Sequence, residues 1–237
     1  MAHVPSPQAL LLKGQADPNI AETREQGTPL WIAAYLGHVC CLDALLDDER
    51  IDVNMHGACG QTALGGAILT GNLACTEALL LDGRADVNKC SNMGWSPLYT
   101  ACDGGNAHCV KALLADRRTD VNKTNAQGRT SLWIAATNGH QACVEALLAA
   151  GADDMAVPQS GLLAGLSARD AALARLNFRC AASLECGHTA WTLGPGGLLR
   201  TMPPWVKARA VTAVLCLQRH LPPELVDVIL QHCRAAL

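Results

Sequence analysis

Three residues in the C-terminal part of the chain have side chains that commonly bind metals. Cys180, Cys186 and His188 lie close together in the sequence, and thiolate and imidazole groups are frequent ligands of tetrahedral zinc. A fourth ligand is available further along, from Cys216, His220, His232 or Cys233. The closely spaced cysteine pair of most structural zinc sites is absent, which favours buried cysteines beside a surface histidine. We therefore expect no metal and no cofactor, and a zinc-binding enzyme is kept as a remote alternative.

The other patterns that could support catalysis or nucleic-acid binding are incomplete. Residues 194–197 are Gly-Pro-Gly-Gly, without the Lys-Ser/Thr ending that places a cation and a hydroxyl at a phosphate. A nucleophilic Cys–His site lacks the surrounding elements that activate such groups. Arg117 and Arg118 are flanked by Asp116 and Asp120, which interrupt the basic stripe that a phosphate backbone requires. The sequence therefore predicts a protein that is not an enzyme and does not bind nucleic acid.

The composition is typical of a folded chain inside the cell. The 237 residues are 50% apolar and 16% charged, which excludes a disordered chain, and their net charge of −3 gives no electrostatic footprint for nucleic acid. No apolar run reaches the roughly 20 residues that span a bilayer. The first residues lack the basic start and the apolar stretch of a secretory signal. We expect no membrane association and an intracellular location, in the reducing cytoplasm or nucleus.

A period of 34 residues runs through the first two thirds of the chain. It relates four hydroxyl residues, Thr28, Thr62, Ser96 and Thr130, and four leucine pairs, at 45–46, 79–80, 113–114 and 147–148. It also relates four cysteines, Cys41, Cys75, Cys109 and Cys143. A cysteine repeated at one position is more simply a small apolar core residue than half of a disulfide. Such a period predicts a solenoid, in which each unit buries its apolar face against its neighbours.

Each unit contains the start and stop signals of two helices. Thr28 is a hydroxyl N-cap, and Pro29 fits the first helical turn, where no backbone donor is lost. Gly37 suits the left-handed conformation that often ends a helix. A second helix follows with its leucines on one face, and Asp-Val-Asn at 52–54 then begins a hairpin-like finger that leads to the next unit.

These units resemble the ankyrin repeat. Residues 28–34, Thr-Pro-Leu-Trp-Ile-Ala-Ala, are similar to the family's Thr-Pro-Leu-His-x-Ala-Ala, and residues 37–38 and 45–46 also match its pattern. The resemblance implies an all-α ankyrin-repeat solenoid, with helix pairs joined by hairpin-like fingers and an α-helical C-terminal extension. The implied divisions are a capping half repeat at 1–24, four repeats at about 25–58, 59–92, 93–126 and 127–153, and the extension at 154–237, with a Gly/Pro-rich loop near 194–204.

The unit that begins at Thr62 departs most from the family pattern. Gly65 and Gly66 lie within its first predicted helix, where each glycine costs up to about 1 kcal/mol relative to Ala. We therefore expect this unit to be the softest point of the stack.

The resemblance implies a non-catalytic protein–protein interaction module or scaffold, because ankyrin arrays generally bind proteins through the finger tips and the concave face of the first helices. The tip positions implied as contacts are Gln61, Trp95 and Arg129, and the helix positions are Tyr35, Leu36, Leu69, Thr70, Asp103, Thr137 and Asn138. Trp95 is the leading candidate, since an exposed indole is unfavourable unless it meets a partner. The alternative is that Trp95 folds back onto Met93 or Tyr99. Trp31 and Trp133 are interpreted as structural.

The last third of the chain follows a different pattern. Residues 160–176 indicate one helix, with Ser167 and Asp170 as a capping pair, which would shield the last repeat from water. Residues 221–230 resemble the opening helix of an F-box, and residues 215–223 are more faintly similar to a SOCS box. Either resemblance implies a substrate-recognition adaptor with a ubiquitin-ligase core as its partner. The simpler interpretation is an amphipathic helix that packs on residues 205–219.

Overall fold

The computed structural model of the protein describes residues 17–20, 27–160 and 163–185. Within these ranges ten α-helices follow one another as five pairs. The first helices of the pairs are α1 Pro29–Leu36, α3 Ala63–Leu69, α5 Pro97–Asp103, α7 Ser131–Asn138 and α9 Ala168–Ala174. The second helices are α2 Val39–Leu46, α4 Leu73–Asp82, α6 Ala107–Ala115, α8 Gln141–Ala149 and α10 Phe178–Glu185. The all-α architecture that the sequence predicts is thereby confirmed for this part of the chain.

Each first helix is capped by a hydroxyl residue, at the four positions that the 34-residue period predicts and at Ser167 before α9. The Thr28 hydroxyl accepts a hydrogen bond from the Trp31 amide at 3.1 Å, and Ser96 accepts one from Tyr99 at 3.1 Å. These bonds satisfy amides that have no partner within the helix. At the other end, Gly37 has a φ of 76°, in the left-handed region that glycine adopts without strain.

The ten helices form two layers. Each first helix packs on the first helices of the adjacent units, and each second helix does the same, from α1–α2 to α9–α10. Between the layers lies one apolar core, which contains the fully buried leucines Leu42, Leu79, Leu113 and Leu147. Each unit therefore depends on its neighbours for burial, as expected for a solenoid.

A row of asparagines connects the fingers of successive units. The Asn54 amide nitrogen donates to the Arg84 carbonyl at 2.9 Å, and its oxygen accepts from the Asp86 amide at 2.6 Å. The same pair of bonds recurs at Asn88 with Arg118 and Asp120, and at Asn19 with Arg50 and Asp52. Asn19 lies within the predicted capping half repeat, whose residues 1–16 and 21–24 fall outside the described ranges. The bonds of Asn19 match those of the equivalent asparagines in the full repeats.

Ion pairs within single units also lie at the ends of the second helices. Arg84 pairs with Asp82 at 2.8 Å and donates to the Leu46 carbonyl of the preceding unit at 2.6 Å. Hydrogen bonding from Arg84 holds the pKa of Asp82 below its ordinary value. The pairing recurs as Arg50–Asp48 and Arg118–Asp116. These arginines are therefore already occupied by carboxylates of their own units.

The stack continues beyond residue 153, where the 34-residue period stops. The single helix expected over 160–176 is wrong: α9 begins at Ala168, capped by Ser167, and a second helix, α10, begins at Phe178. The pair packs on α7 and α8 as a fifth unit. The Asn177 amide nitrogen donates to the Thr137 carbonyl at 2.7 Å, which repeats the bond from Asn72 to Tyr35. The predicted pairing of Ser167 with Asp170 is confirmed, at 2.9 Å.

Adjacent glycines in α3 have different surroundings. A Cβ built on Gly66 would lie 2.9 Å from the Trp31 indole nitrogen, whereas one built on Gly65 meets Gln61 no closer than 3.4 Å. Position 66 therefore favours glycine, because any side chain there would crowd the Trp31 indole. Gly65 only lowers the intrinsic helix propensity.

We expect Gly65→Ala to raise the free energy of unfolding by about 0.5–1 kcal/mol, because Ala favours helices over Gly. Gly66→Ala is expected to lower it by about 1–3 kcal/mol, because the added methyl crowds Trp31. Urea denaturation of both variants measures the difference. Equal shifts of the free energy of unfolding in the same direction would show that Trp31 accommodates the added methyl without loss of stability.

Candidate functional site

The ends of the first helices place equivalent residues side by side. Tyr35 and Leu69 are 34 residues apart and therefore occupy the same position in adjacent units. Their helices are in direct contact, since the Thr70 hydroxyl donates to the Tyr35 carbonyl at 3.0 Å. The predicted helix positions that are not buried here define what we call the first-helix surface, made of Tyr35, Leu36, Leu69, Thr70, Asp103 and Asn138.

The first two units make this surface apolar. Leu36 and Leu69 are each 48% exposed, and Tyr35 is 37% exposed. The Tyr35 ring stacks on Trp31, with centroids 4.8 Å apart and an interplanar angle of 13°, so its orientation is fixed by a buried neighbour. This end of the surface offers rigid apolar side chains to a partner.

The third and fourth units make the same surface polar. The Asn138 amide nitrogen donates to the Asp103 carboxylate at 3.0 Å, across the boundary between the two units. A ring nitrogen of His140 lies 3.1 Å from the Asp103 carbonyl oxygen. Asp103 is therefore already engaged within the stack, and this end of the surface offers hydrogen bonds.

Two of the predicted contact residues are buried and are not part of this surface. Thr137 is 3% exposed, and its hydroxyl donates to the Trp133 and Ile134 carbonyls of its own helix. Gln61 is 9% exposed and lies at the base of its finger, where its carbonyl accepts from the Gly57 amide at 2.7 Å. Both side chains are thus buried in the stack, and neither is exposed to a partner in this conformation.

The other two predicted tip residues belong to one cluster. Trp95 folds back onto Tyr99, with ring centroids 5.5 Å apart, and remains half-buried. The Arg129 guanidinium lies 4.7 Å from the centre of the Trp133 ring, and its charge acts on the Tyr99 hydroxyl of the preceding unit. Burial raises the pKa of Tyr99, and Arg129 opposes that shift. We call Trp95, Tyr99, Arg129 and Trp133 the aromatic–arginine cluster.

The structural interpretation of the other two tryptophans is confirmed. Trp31 is 7% exposed and Trp133 is 2% exposed. The Trp133 indole nitrogen donates to the Leu166 carbonyl at 3.1 Å and so connects α7 to the segment before α9. The Trp31 indole nitrogen is buried without a hydrogen-bond partner.

The periodic cysteines are core residues. Cys75, Cys109 and Cys143 are buried, as predicted, and Cys41 is half-buried against the core. Burial raises the pKa of the Cys75 and Cys109 thiols, which keeps them protonated and therefore poor nucleophiles. The Cys143 thiol and burial both raise the pKa of Cys102.

The predicted zinc ligands fall only in part within the described ranges. Cys180 is buried in α10, and burial raises its pKa, whereas Cys186 and His188 lie outside the described residues. Among the residues that the structure describes, no group of three or more His, Cys, Asp or Glu side chains is arranged to hold a metal ion. In the same part of the chain, no helix has the length and apolarity needed to cross a membrane.

Comparison with known proteins agrees with the architecture. Stacked helix pairs with capped first helices and cross-bonded fingers define a helical repeat solenoid. A family model described as ankyrin repeats (3 copies) matches residues 7–89 and again residues 74–157. The chain belongs to the ankyrin repeat family. No curated protein matches it. The family match ends before α9, so the fifth helix pair lies beyond it.

Proposed function

We propose that this chain binds a protein partner across the first-helix surface and the aromatic–arginine cluster. Ankyrin repeats are generally protein–protein interaction modules, and the family is typically non-catalytic. The observation that carries the proposal for this chain is the exposure of Tyr35, Leu36 and Leu69 at one end of the first-helix layer. Large apolar side chains grouped at the surface favour association, because contact with a partner removes them from water.

Leu69 and Leu81 form a matched pair for testing this surface. Leu69 ends the first helix of its unit and is 48% exposed, whereas Leu81 lies on the second helix of the same unit and is 86% exposed. An aspartate at either position adds one charge at an exposed site. The two positions differ in the layer that they occupy.

Leu69→Asp is expected to weaken partner binding at least about tenfold, because a charge would be buried against an apolar contact. Leu81→Asp is expected to leave binding unchanged. The measurement is quantitative mass spectrometry of proteins retained by the tagged full chain and by both variants, together with their unfolding midpoints. A partner lost equally from both variants, or retained by both, would contradict the proposed surface.

The two alternative functions depend on other parts of the chain. The ubiquitin-ligase adaptor rests on residues 205–237, and the zinc-binding enzyme requires Cys186 and His188; all of these lie outside the described residues. Both therefore stay predictions from the sequence. The exposed surface described above supports partner binding in either case, because a substrate adaptor also needs a recognition surface.

A further inference from the structure

The aromatic–arginine cluster is built from equivalent positions of two adjacent units. Trp95 and Arg129 are 34 residues apart at successive finger tips, and Tyr99 and Trp133 are 34 residues apart on the first helices. The four residues therefore form a two-by-two arrangement. Trp95 contacts Tyr99 within one unit, Arg129 contacts Trp133 within the next, and the charge of Arg129 acts on the Tyr99 hydroxyl across the boundary.

Arg129 differs from the arginines that follow the second helices. Arg50, Arg84 and Arg118 each pair with an aspartate two residues earlier. None of the ion pairs found among the described residues involves Arg129, whose guanidinium lies over the Trp133 ring instead. Asp103, one turn beyond Tyr99 on the same helix, is bonded to Asn138. Arg129 therefore carries a positive charge that the described part of the stack does not neutralise.

The surroundings of Arg129 favour the binding of an anion. Its Nε is buried and has no hydrogen-bond partner, so part of the guanidinium has lost water without gaining an acceptor. The residue as a whole is half-buried, which leaves part of it open to a partner. The Trp133 ring beneath the guanidinium fixes its plane, and a fixed guanidinium matches the two oxygens of a carboxylate.

We propose that Arg129 and Trp95 form a subsite for a carboxylate side chain in an acidic peptide segment of the partner, which rests on the partner-binding function proposed above. Arg129 binds the carboxylate, and the half-buried face of Trp95 packs on the adjoining methylene groups. Tyr99 and Trp133 are positioning residues, since they hold Arg129 and Trp95 in place. The occupant is a glutamate or aspartate on an extended segment.

The rest of the surface specifies where an apolar residue of the segment would lie. Leu69 and Arg129 are two units apart, and stacked helices are spaced by about 10 Å, so the two sites are about 20 Å apart along the stack. Leu69 also ends its first helix, whereas Arg129 precedes the cap of its own, which adds an offset of about 12 Å along the helix direction. About seven residues of extended chain cover the resulting distance of about 23 Å. A segment with an acidic residue at one end and an apolar residue about seven positions away would contact both sites.

The test selects random peptides on the immobilised full chain and measures the affinity of the selected peptides by fluorescence anisotropy. Each peptide is synthesised with Glu, Gln or phosphoserine at the acidic position. The protein variants are Arg129→Gln and Arg129→Lys, and Arg117→Gln is the control. Arg117 is an exposed residue just after α6, beside the second-helix layer, so its variant removes the same charge away from the cluster.

We expect the selected peptides to share an acidic residue, and exchange of that Glu for Gln to weaken binding at least about tenfold on the unmodified chain. On Arg129→Gln the same exchange should change affinity less than about twofold, because the interaction that it probes is already gone. Arg129→Lys should retain an intermediate preference, since it keeps the charge but loses the planar fork. Arg117→Gln should behave as the unmodified chain does.

Several results would overturn the carboxylate subsite. Selected peptides that bind through Leu69 without any acidic preference would leave the proposed function standing and remove the subsite. Equal losses of peptide affinity in Arg117→Gln and Arg129→Gln would show that the acidic residue responds to the net charge of the protein and not to a subsite. Binding of the phosphoserine peptide alone would assign the site to a phosphopeptide. Selection of no peptide at all would count against both proposals. If Arg129→Gln does not fold, the Glu-to-Gln exchange in the peptide still tests the carboxylate preference on the unmodified chain.

Discussion

Replacing Leu113 with Ala is expected to lower the free energy of unfolding by about 2–5 kcal/mol, as measured by urea denaturation of the full chain. Leu113 is fully buried in α6, at the centre of the stack. The helix packs on α4 on one side and on α8 on the other. Removing the isobutyl group leaves a cavity that closes only if one of these helices moves, and a close-packed interior resists such movement.

Leu114 provides the matched control, because it is the next residue of the same helix and only half-buried. Leu114→Ala makes the same chemical change but removes fewer buried contacts, so its loss should be clearly smaller. A loss below about 1 kcal/mol for Leu113→Ala, or equal losses for the two variants, would contradict the assignment of Leu113 to the core.

The loss should also extend to the neighbouring units. Each unit of a solenoid is stabilised mainly by the interfaces on its two sides, so a defect in the third unit weakens the second and fourth. Amide hydrogen exchange in α4 and α8 should accelerate along with exchange in α6. Acceleration confined to α6 would show that the units are less coupled than their packing implies.

Features that depend on short stretches of sequence were predictable. The bond from the Trp31 amide to the Thr28 hydroxyl joins residues three apart, and the left-handed conformation of Gly37 depends on the absence of a side chain. Such determinants act locally, so residue types at fixed spacing are enough to identify them. The period then repeats them, which is why the first four helix pairs could be located before the structure was known.

The fifth helix pair could not be found from the 34-residue period because its spacing is different. Ser167 follows Thr130 by 37 residues, and Asn177 follows His140 by the same interval. The longer connection shifts the pattern by three residues, and no Thr-Pro-Leu segment introduces the pair. Comparison at this offset would have detected it, since Cys180 then aligns with Cys143.

The aromatic–arginine cluster shows a different limit of sequence reasoning. Trp95 and Arg129 could each be placed at a finger tip from the period alone. Their assignment to one cluster depends on the rotamers of four large side chains and on the spacing between two units. The burial of Thr137 has the same origin, because its exposure is decided by the packing around α7. Sequence periodicity gives the position of a residue in the unit but not the direction in which its side chain points.

Replacing Trp133 with Ala is expected to lower the free energy of unfolding by about 3–5 kcal/mol. The indole is 2% exposed, it supports the Arg129 guanidinium, and its nitrogen bonds to the Leu166 carbonyl. Truncation therefore creates a large cavity and also leaves the Leu166 carbonyl without its donor. Because Leu166 immediately precedes the cap of α9, the fifth helix pair should lose protection first in amide hydrogen exchange.

Phenylalanine variants separate the two contributions of this tryptophan. Trp133→Phe keeps most of the ring but removes the hydrogen bond to Leu166, whereas Trp31→Phe removes an indole nitrogen that has no partner. Trp133→Phe should therefore lose about 1–3 kcal/mol more than Trp31→Phe. Equal losses in urea denaturation would mean that the bond to Leu166 contributes nothing. The fifth pair would then be held to the stack by the bonds from Asn177 to α7 and by the alanine-rich face of α9 against α7.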